Sequence, residues 1–171
     1  NKNFNANYGG IPKNVWLHVT DRLYQTLPLY SNLKTTGVYI YAEDIRVKSR
    51  KAIIHAESEI RNEYNRDKQV SYQVELIDRD GTSIQTFEGT KAVVKPGETI
   101  TLKAASEVDN LHFWSWGYGY LYTVKTSLWV DGRKVDEVAT RTGFRKTRFG
   151  KGMIWLNDRV IQMKGFAQRT S

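Results

Sequence analysis

Leu-His-Phe-Trp-Ser-Trp-Gly-Tyr-Gly-Tyr-Leu-Tyr (111–122), followed by Thr-Val-Lys-Thr-Ser-Leu-Trp-Val (123–130), opens the run from Asn110 to Lys164 on which the fold turns. An Asp131-Gly132 pair follows the second segment, and both residues tolerate φ > 0, as a two-residue type I′ hairpin turn requires. Tyr122–Val130 and Lys134–Thr142 therefore read as the two arms of a hairpin. Asn157-Asp158 offers a second two-residue turn, between Met153–Leu156 and Arg159–Lys164.

Working outward, the same pattern of short strands and turns continues upstream. Val38 to Val47 is a strand-like run, and Lys51–Glu63 a second one. In the latter Ile54, Ala56 and Ile60 share one face, while His55, Glu57, Glu59 and Arg61 share the other. That period of two marks a strand buried on one side. Val70, Tyr72, Val74 and Leu76 alternate with Ser71, Gln73, Glu75 and Ile77 in a third strand. After an Asp80-Gly81 turn, Ile84–Phe87 and Ala92–Val94 read as one interrupted element. Lys95-Pro96-Gly97-Glu98 is a turn in which Pro presets φ and Gly accepts a positive one. Ile100, Leu102 and Ala104 mark a fifth strand. About seven short strands with turn signals every eight to twelve residues predict an all-β, immunoglobulin-like antiparallel β-sandwich with extra terminal strands. Its expected core includes Val74, Leu76, Trp114, Tyr122, Val124 and Leu128.

The quoted run also resembles glycoside hydrolase family 2, the β-galactosidase and β-glucuronidase family. There a sandwich ends in Trp-Ser…Pro-Tyr-Leu-Tyr…Asp-Gly…Asp…Gly-Phe-Arg, and a Leu-Asn-Gly-Lys-Pro…Lys-Gly hairpin leads into a catalytic barrel. The matching residues are Trp114-Ser115, Tyr120-Leu121-Tyr122, Asp131-Gly132, Gly143-Phe144-Arg145, Leu156-Asn157 and Lys164-Gly165. Gly119 stands where the family has Pro, and Ala167-Gln168-Arg169-Thr170 replaces its Asn-Arg-His. Gly9-Gly10-Ile11 and Val15-Trp16-Leu17 resemble the last strand of the jelly roll that precedes the sandwich in the family.

The resemblance implies three parts: residues 1–32 as the tail of a jelly roll and a connector, 33–145 as the sandwich, and 146–171 as the hairpin and first strand leading into a (β/α)8 barrel. The parent would be a retaining β-glycosidase working through two carboxyl groups. This piece would be its non-catalytic scaffold, partnered by the jelly roll and barrel of its own polypeptide. Carbohydrate would be the parent's substrate. The substrate-binding candidates the resemblance leaves are Gln168 and Arg169, with no catalytic residue, cofactor or metal expected in the chain. Apolar side chains on the two terminal segments, Val15–Val19 and Met153–Lys164, would fold back on the sandwich or pair with another copy in a dimer. The compartment stays open, with an extracytoplasmic or periplasmic one favoured over the cytoplasm.

The residues themselves agree. No cysteine occurs among the 171 residues, which excludes disulfides and thiolate chemistry. His18, His55 and His112 lie far apart without ligand-spaced carboxylates, so no metal site is expected. Asn62-Glu63 imitates the family's acid/base pair but falls at a strand end upstream of any barrel, so Glu63 is not expected to catalyse. The net charge of +8 raises nucleic acid as a partner. The basic residues are dispersed, however, as in Lys48, Arg50 and Lys51 or Arg141, Arg145, Lys146, Arg148 and Lys151. They are not interleaved with stacking aromatics, so no nucleic-acid partner is expected. No apolar run reaches the length of a membrane span. The aromatic cluster Phe113, Trp114, Trp116, Tyr118, Tyr120 and Tyr122 leaves one rival reading, an autonomous carbohydrate-binding or adhesive module. A basic nucleic-acid-binding module is a second.

Overall fold

The computed structural model describes residues 15, 17–28, 34–163 and 165, and within them every regular element is a strand. The first sheet is built on β3 (Lys51–Asn62), flanked on one side by β6 (Thr99–Val108) and on the other by β2 (Val38–Arg46). β2 pairs with β3 as far as Ser58; beyond it β1 (Leu23–Gln25) takes over, opposite Ile60 to Asn62. The second sheet runs β5 (Ser83–Val94), β4 (Lys68–Ile77), β7 (Tyr122–Val130), β8 (Arg133–Thr142). A three-stranded meander, β9 (Thr147–Gly150), β10 (Met153–Leu156) and β11 (Arg159–Ile161), follows the sandwich.

The period-two faces fall where the alternation puts them. Ala52, Ile54, Ala56 and Ile60 of β3 face Val70, Tyr72, Val74 and Leu76 of β4 and Tyr122, Val124 and Leu128 of β7 in one buried cluster. The Asp131-Gly132 turn has both residues at positive φ (51° and 73°), and Val130 pairs with Arg133 across it. Asn157 and Asp158 (49° and 64°) close β10–β11 in the same way. Gly97 takes φ +71° in the Pro96 turn, where the Glu98 amide donates to the Lys95 carbonyl at 3.1 Å.

Four expectations change. Residues 83–94 form one continuous strand; its apparent interruption is a bulge in which Gly89 and Thr90 together oppose Tyr72. A Cβ on Gly89 would lie 2.6 Å from the Lys103 carbonyl oxygen and 2.6 Å from Tyr72 Cδ1, so the glycine is there for close approach. β9 was not expected, because it is short and polar and its turn to β10 places Lys151 at φ 50°. Trp114 is half-buried, not core: residues 111–121 are loop, so the alternation of β7 does not extend back to it, and Leu111, Phe113 and Tyr120 are buried instead. Lastly, the described residues of the β-prone run at 15–19 lie in no strand, and Val15, Leu17 and Val19 are exposed. Trp16, Tyr8 and residues 9–11 are outside the described residues.

The strand that the sequence pattern does not single out, β1, brings a polar group into the core. Gln25 is buried, with Oε1 accepting from Ser58 Oγ (2.9 Å) and Thr126 Oγ1 (2.6 Å). Its Nε2 donates to the Thr126 carbonyl (3.0 Å) and its backbone amide to Asp136 Oδ2 (2.8 Å). One side chain thereby ties β1 and β3 of the first sheet to β7 of the second, and its backbone reaches β8.

Candidate functional site

At one end of the sandwich the aromatic loop and the meander meet. Arg50, at the turn into β3 (φ 58°), donates from its guanidinium to the Leu111 carbonyl (Nε, 3.1 Å) and the Asn110 carbonyl (Nη2, 2.6 Å). It also reaches His112 Nε2 at 2.9 Å. A guanidinium only donates, so Nε2 must accept, which leaves Nδ1 to donate to the Tyr118 hydroxyl 3.0 Å away. The His112 ring stacks on Tyr120 (4.6 Å between centroids, 17° between planes), and Tyr120 leads on to Tyr122 and Phe144. Tyr120 donates to Asp78, and this bond to a carboxylate holds its hydroxyl pKa up at about 12. The loop is thus pinned from three sides.

Its tip is not covered in the same way. Ser115 and Tyr118 exchange backbone hydrogen bonds around Gly117 (φ 70°), leaving Trp116 62% and Tyr118 44% exposed. Beside them lies a groove of about 440 Å³ lined by Arg50, His112, Trp116, Tyr118, Leu156 and Arg159, among others. Asn157 closes its far wall: its Nδ2 donates to the Trp114 carbonyl (2.9 Å), and its Oδ1 accepts from the Lys146 amide (3.0 Å). Arg145 lies over the Trp114 ring and Arg148 over Trp155, so these basic residues cover aromatic faces.

The carboxyl groups are occupied structurally. Glu63 accepts from Tyr24 and Arg61, Glu59 from Thr26 and the Thr36 amide, and Asp136 from Gln25. Where a carboxyl pKa departs from its ordinary value among the described residues, the departure is downward. The Lys103 ammonium lowers Glu57, the Thr82 amide lowers Asp80, and the Lys134 ammonium lowers Glu137. For Asp21, burial pushes up but hydrogen bonds, led by that of the Leu23 amide, win. A general acid for glycoside cleavage needs the opposite shift. No group of three or more metal-ligating side chains occurs among the described residues.

The substrate-binding candidates Gln168 and Arg169 lie outside the described residues. Sequence reasoning placed Arg50 only in a basic cluster, and Asn157 in a turn and in the family-like Leu156-Asn157 pair. The hydrogen bonds of both run to partners across the fold, 62 residues away for the Arg50–His112 contact, and no local signal names those partners.

Two antiparallel sheets closed over one apolar core, with the aromatic run 111–122 at the rim, define an immunoglobulin-like β-sandwich. The chain belongs to glycosyl hydrolases family 2, whose family model matches residues 38–145. It is 31% identical to a β-glucuronidase of Formosa agariphila over 98% of its own length, and 27% identical to a putative β-glucuronidase of the same organism over 92%. In each case it spans 17% of the relative. Among solved structures, a family 2 β-glucuronidase superposes with a TM-score of 0.79 at 29% identity, over 87% of this chain and 15% of that one. A putative β-galactosidase from Bacteroides fragilis shares the fold, with a TM-score of 0.71 at 24% identity over 84% of this chain and 21% of that one.

Proposed function

We propose that this chain is a non-catalytic scaffold of a retaining family 2 β-glycosidase of the β-glucuronidase or β-galactosidase type, orienting the catalytic barrel of the same polypeptide. The observation that carries it is the double hydrogen bond of Asn157 to Trp114 and Lys146. It fixes the meander, the part that leads toward the end of the chain, rigidly on the rim of the sandwich. Precise orientation of a following unit needs such a clamp, since a flexible connector would leave relative domain motion as the default. The exposed Trp116 and Tyr118 beside the groove then supply the aromatic contact area that interdomain surfaces favour. Parts 1–32 and 146–171 would adjoin the jelly roll and the barrel.

The chemistry of the parent would need an opposed pair of carboxyl groups about 5 Å apart for retention, one of them with a raised pKa. The carboxyl groups described above are tied to structural partners or shifted downward. The test is incubation of the purified chain with nitrophenyl β-glucuronide and nitrophenyl β-galactoside. No turnover is expected. Turnover that persists through purification and is lost in Glu63→Gln would refute the proposal.

A further inference from the structure

Apart from the rim, the outer face of the first sheet carries an ordered grid of side chains. Three cross-strand rows run over β2, β3 and β6. Tyr41, His55 and Ala105 form one row, and Tyr39, Glu57 and Lys103 the next. In the third, Glu59 lies beside Thr101, with Thr36 and Gly37 completing the edge. Tyr41 stacks flat on His55 (4.8 Å, 3°), and Tyr39 leans on Tyr41 (5.1 Å, 30°). This leaves Tyr39 63% exposed.

Two open grooves flank Glu57. One, about 400 Å³, is lined by Thr36, Gly37, Tyr39, Glu57, Glu59 and Thr101; the other, about 370 Å³, by Tyr41, His55, Glu57, Lys103, Ala104 and Ala105. Both carboxylates are held in place through one oxygen. Glu57 Oε1 accepts from Lys103 Nζ (2.9 Å) and Tyr41 Oη (3.2 Å). Glu59 Oε1 accepts from Thr26 Oγ1 (2.8 Å) and the Thr36 amide (3.1 Å). A carboxylate has lone pairs on both oxygens, so each retains acceptor capacity at Oε2, in a position its existing hydrogen bonds restrain.

We infer that this face is a binding platform for a neutral oligosaccharide of two or more pyranose rings, stacking on Tyr39 and lying across Glu57 into both grooves. The ligand class follows from the groups present. An aromatic ring with a free face takes the C–H face of a sugar ring. Fixed carboxylate and threonine oxygens, with the Lys103 ammonium, take its hydroxyls. The Glu59 carboxylate, which among the described residues accepts only from neutral donors, repels a uronate or a sulfated sugar. Lys103 already neutralises Glu57, which removes most of the attraction a bare cation would find.

Isothermal titration of the full chain with cellohexaose, galactohexaose and xylohexaose, each as a separate probe, tests this. At least one should bind saturably, with little dependence on salt. Tyr39→Ala and Glu57→Gln should each weaken that binding by about tenfold, as loss of one stacking or charge-assisted contact implies. Tyr39→Phe should restore it, which separates ring stacking from a folding defect, and Trp116→Ala should leave it unchanged. The proposal is overturned if no probe binds by about 10 mM, where millimolar affinity would register. It is equally overturned if trigalacturonate or spermidine competes, or if Trp116→Ala abolishes binding. Absence of binding leaves the scaffold reading untouched, whereas binding abolished by Trp116→Ala would favour the aromatic-loop module instead; failure of the hydrolysis test would refute only the scaffold reading.

Discussion

Replacing Gln25 with Leu probes the contact that joins the two sheets. The side chains are similar in size, so the substitution keeps volume and removes only polarity. It deletes the donors and acceptor that serve Ser58, Thr126, the Thr126 carbonyl and, at 3.3 Å, Asp136 Oδ2, which keeps its bond from the Gln25 backbone amide. Ser58 can fall back on the Tyr72 hydroxyl at 2.7 Å. Thr126 Oγ1 has only the Val138 carbonyl at 3.4 Å, a poor substitute. Two buried hydrogen bonds are therefore lost outright and at least one buried polar group is left unpaired. At roughly 1 kcal/mol per bond and about 1–3 kcal/mol per stranded group, the added burial of Leu offsetting part, the net loss is about 2–4 kcal/mol. For a chain of this size that corresponds to a melting temperature lower by roughly 5–15 °C. Urea denaturation followed by tryptophan fluorescence measures it directly, and the midpoint should fall without a change in m. Thr126→Val in a double-mutant cycle should show coupling of about 1 kcal/mol with Gln25→Leu. If Gln25→Leu lies within about 0.5 kcal/mol of the wild type, the polar tie of the side chain contributes nothing net, and β1 is held by its backbone pairing with β3, the Asp136 contact and Leu23.

Gly89→Ala should destabilise by about 1–3 kcal/mol through overlap with Tyr72 and the Lys103 carbonyl, whereas Gly81→Ala, with open space around it, should lose only the smaller backbone strain of its positive φ; equal effects would contradict the close-approach reading. Burial raises the Tyr72 hydroxyl pKa to about 12, above its unfolded value of about 10. Its stabilisation should therefore be complete below about pH 10 and disappear as the pH rises through about 12, a loss of up to about 2–3 kcal/mol. Denaturation between pH 8 and 12 should show a shallower fall in Tyr72→Phe, and an identical fall would remove Tyr72 as the source. Asn157→Gly keeps the positive φ but loses both clamp hydrogen bonds, so limited trypsin digestion at Lys146, Arg148 and Lys151 should quicken several-fold, while the β3–β8 sandwich melts as before.

Much of this fold is written locally. Alternation at Ile54, Ala56 and Ile60 and at Val70, Tyr72, Val74 and Leu76 put the right faces inward, because a strand has a period of two wherever it lies. Asp131-Gly132, Asn157-Asp158 and Pro96-Gly97 placed three turns, because left-handed backbone is a property of the residue itself. The order of Trp114-Ser115, Tyr120-Leu121-Tyr122 and Gly143-Phe144-Arg145 carried the family. The rest depended on contacts between distant residues. Gln25 is a polar residue in a short segment, and its burial follows only from Thr126 and Asp136, 101 and 111 positions away. Gly89 fell in the gap of an interrupted strand until Tyr72 and Lys103 showed what its missing Cβ makes room for. Arg50 belonged to a surface basic cluster until the fold brought the carbonyls of Asn110 and Leu111 to it. Tyr39, Glu57 and Lys103 are unremarkable apart in sequence, and pairing register alone sets them in one row. Intrinsic backbone preference and side-chain alternation act over a few residues, so the sequence alone determined the fold class, most of the turns and the strands β2 to β8. Which polar groups meet is fixed by packing two sheets together, and only the tertiary structure decided that.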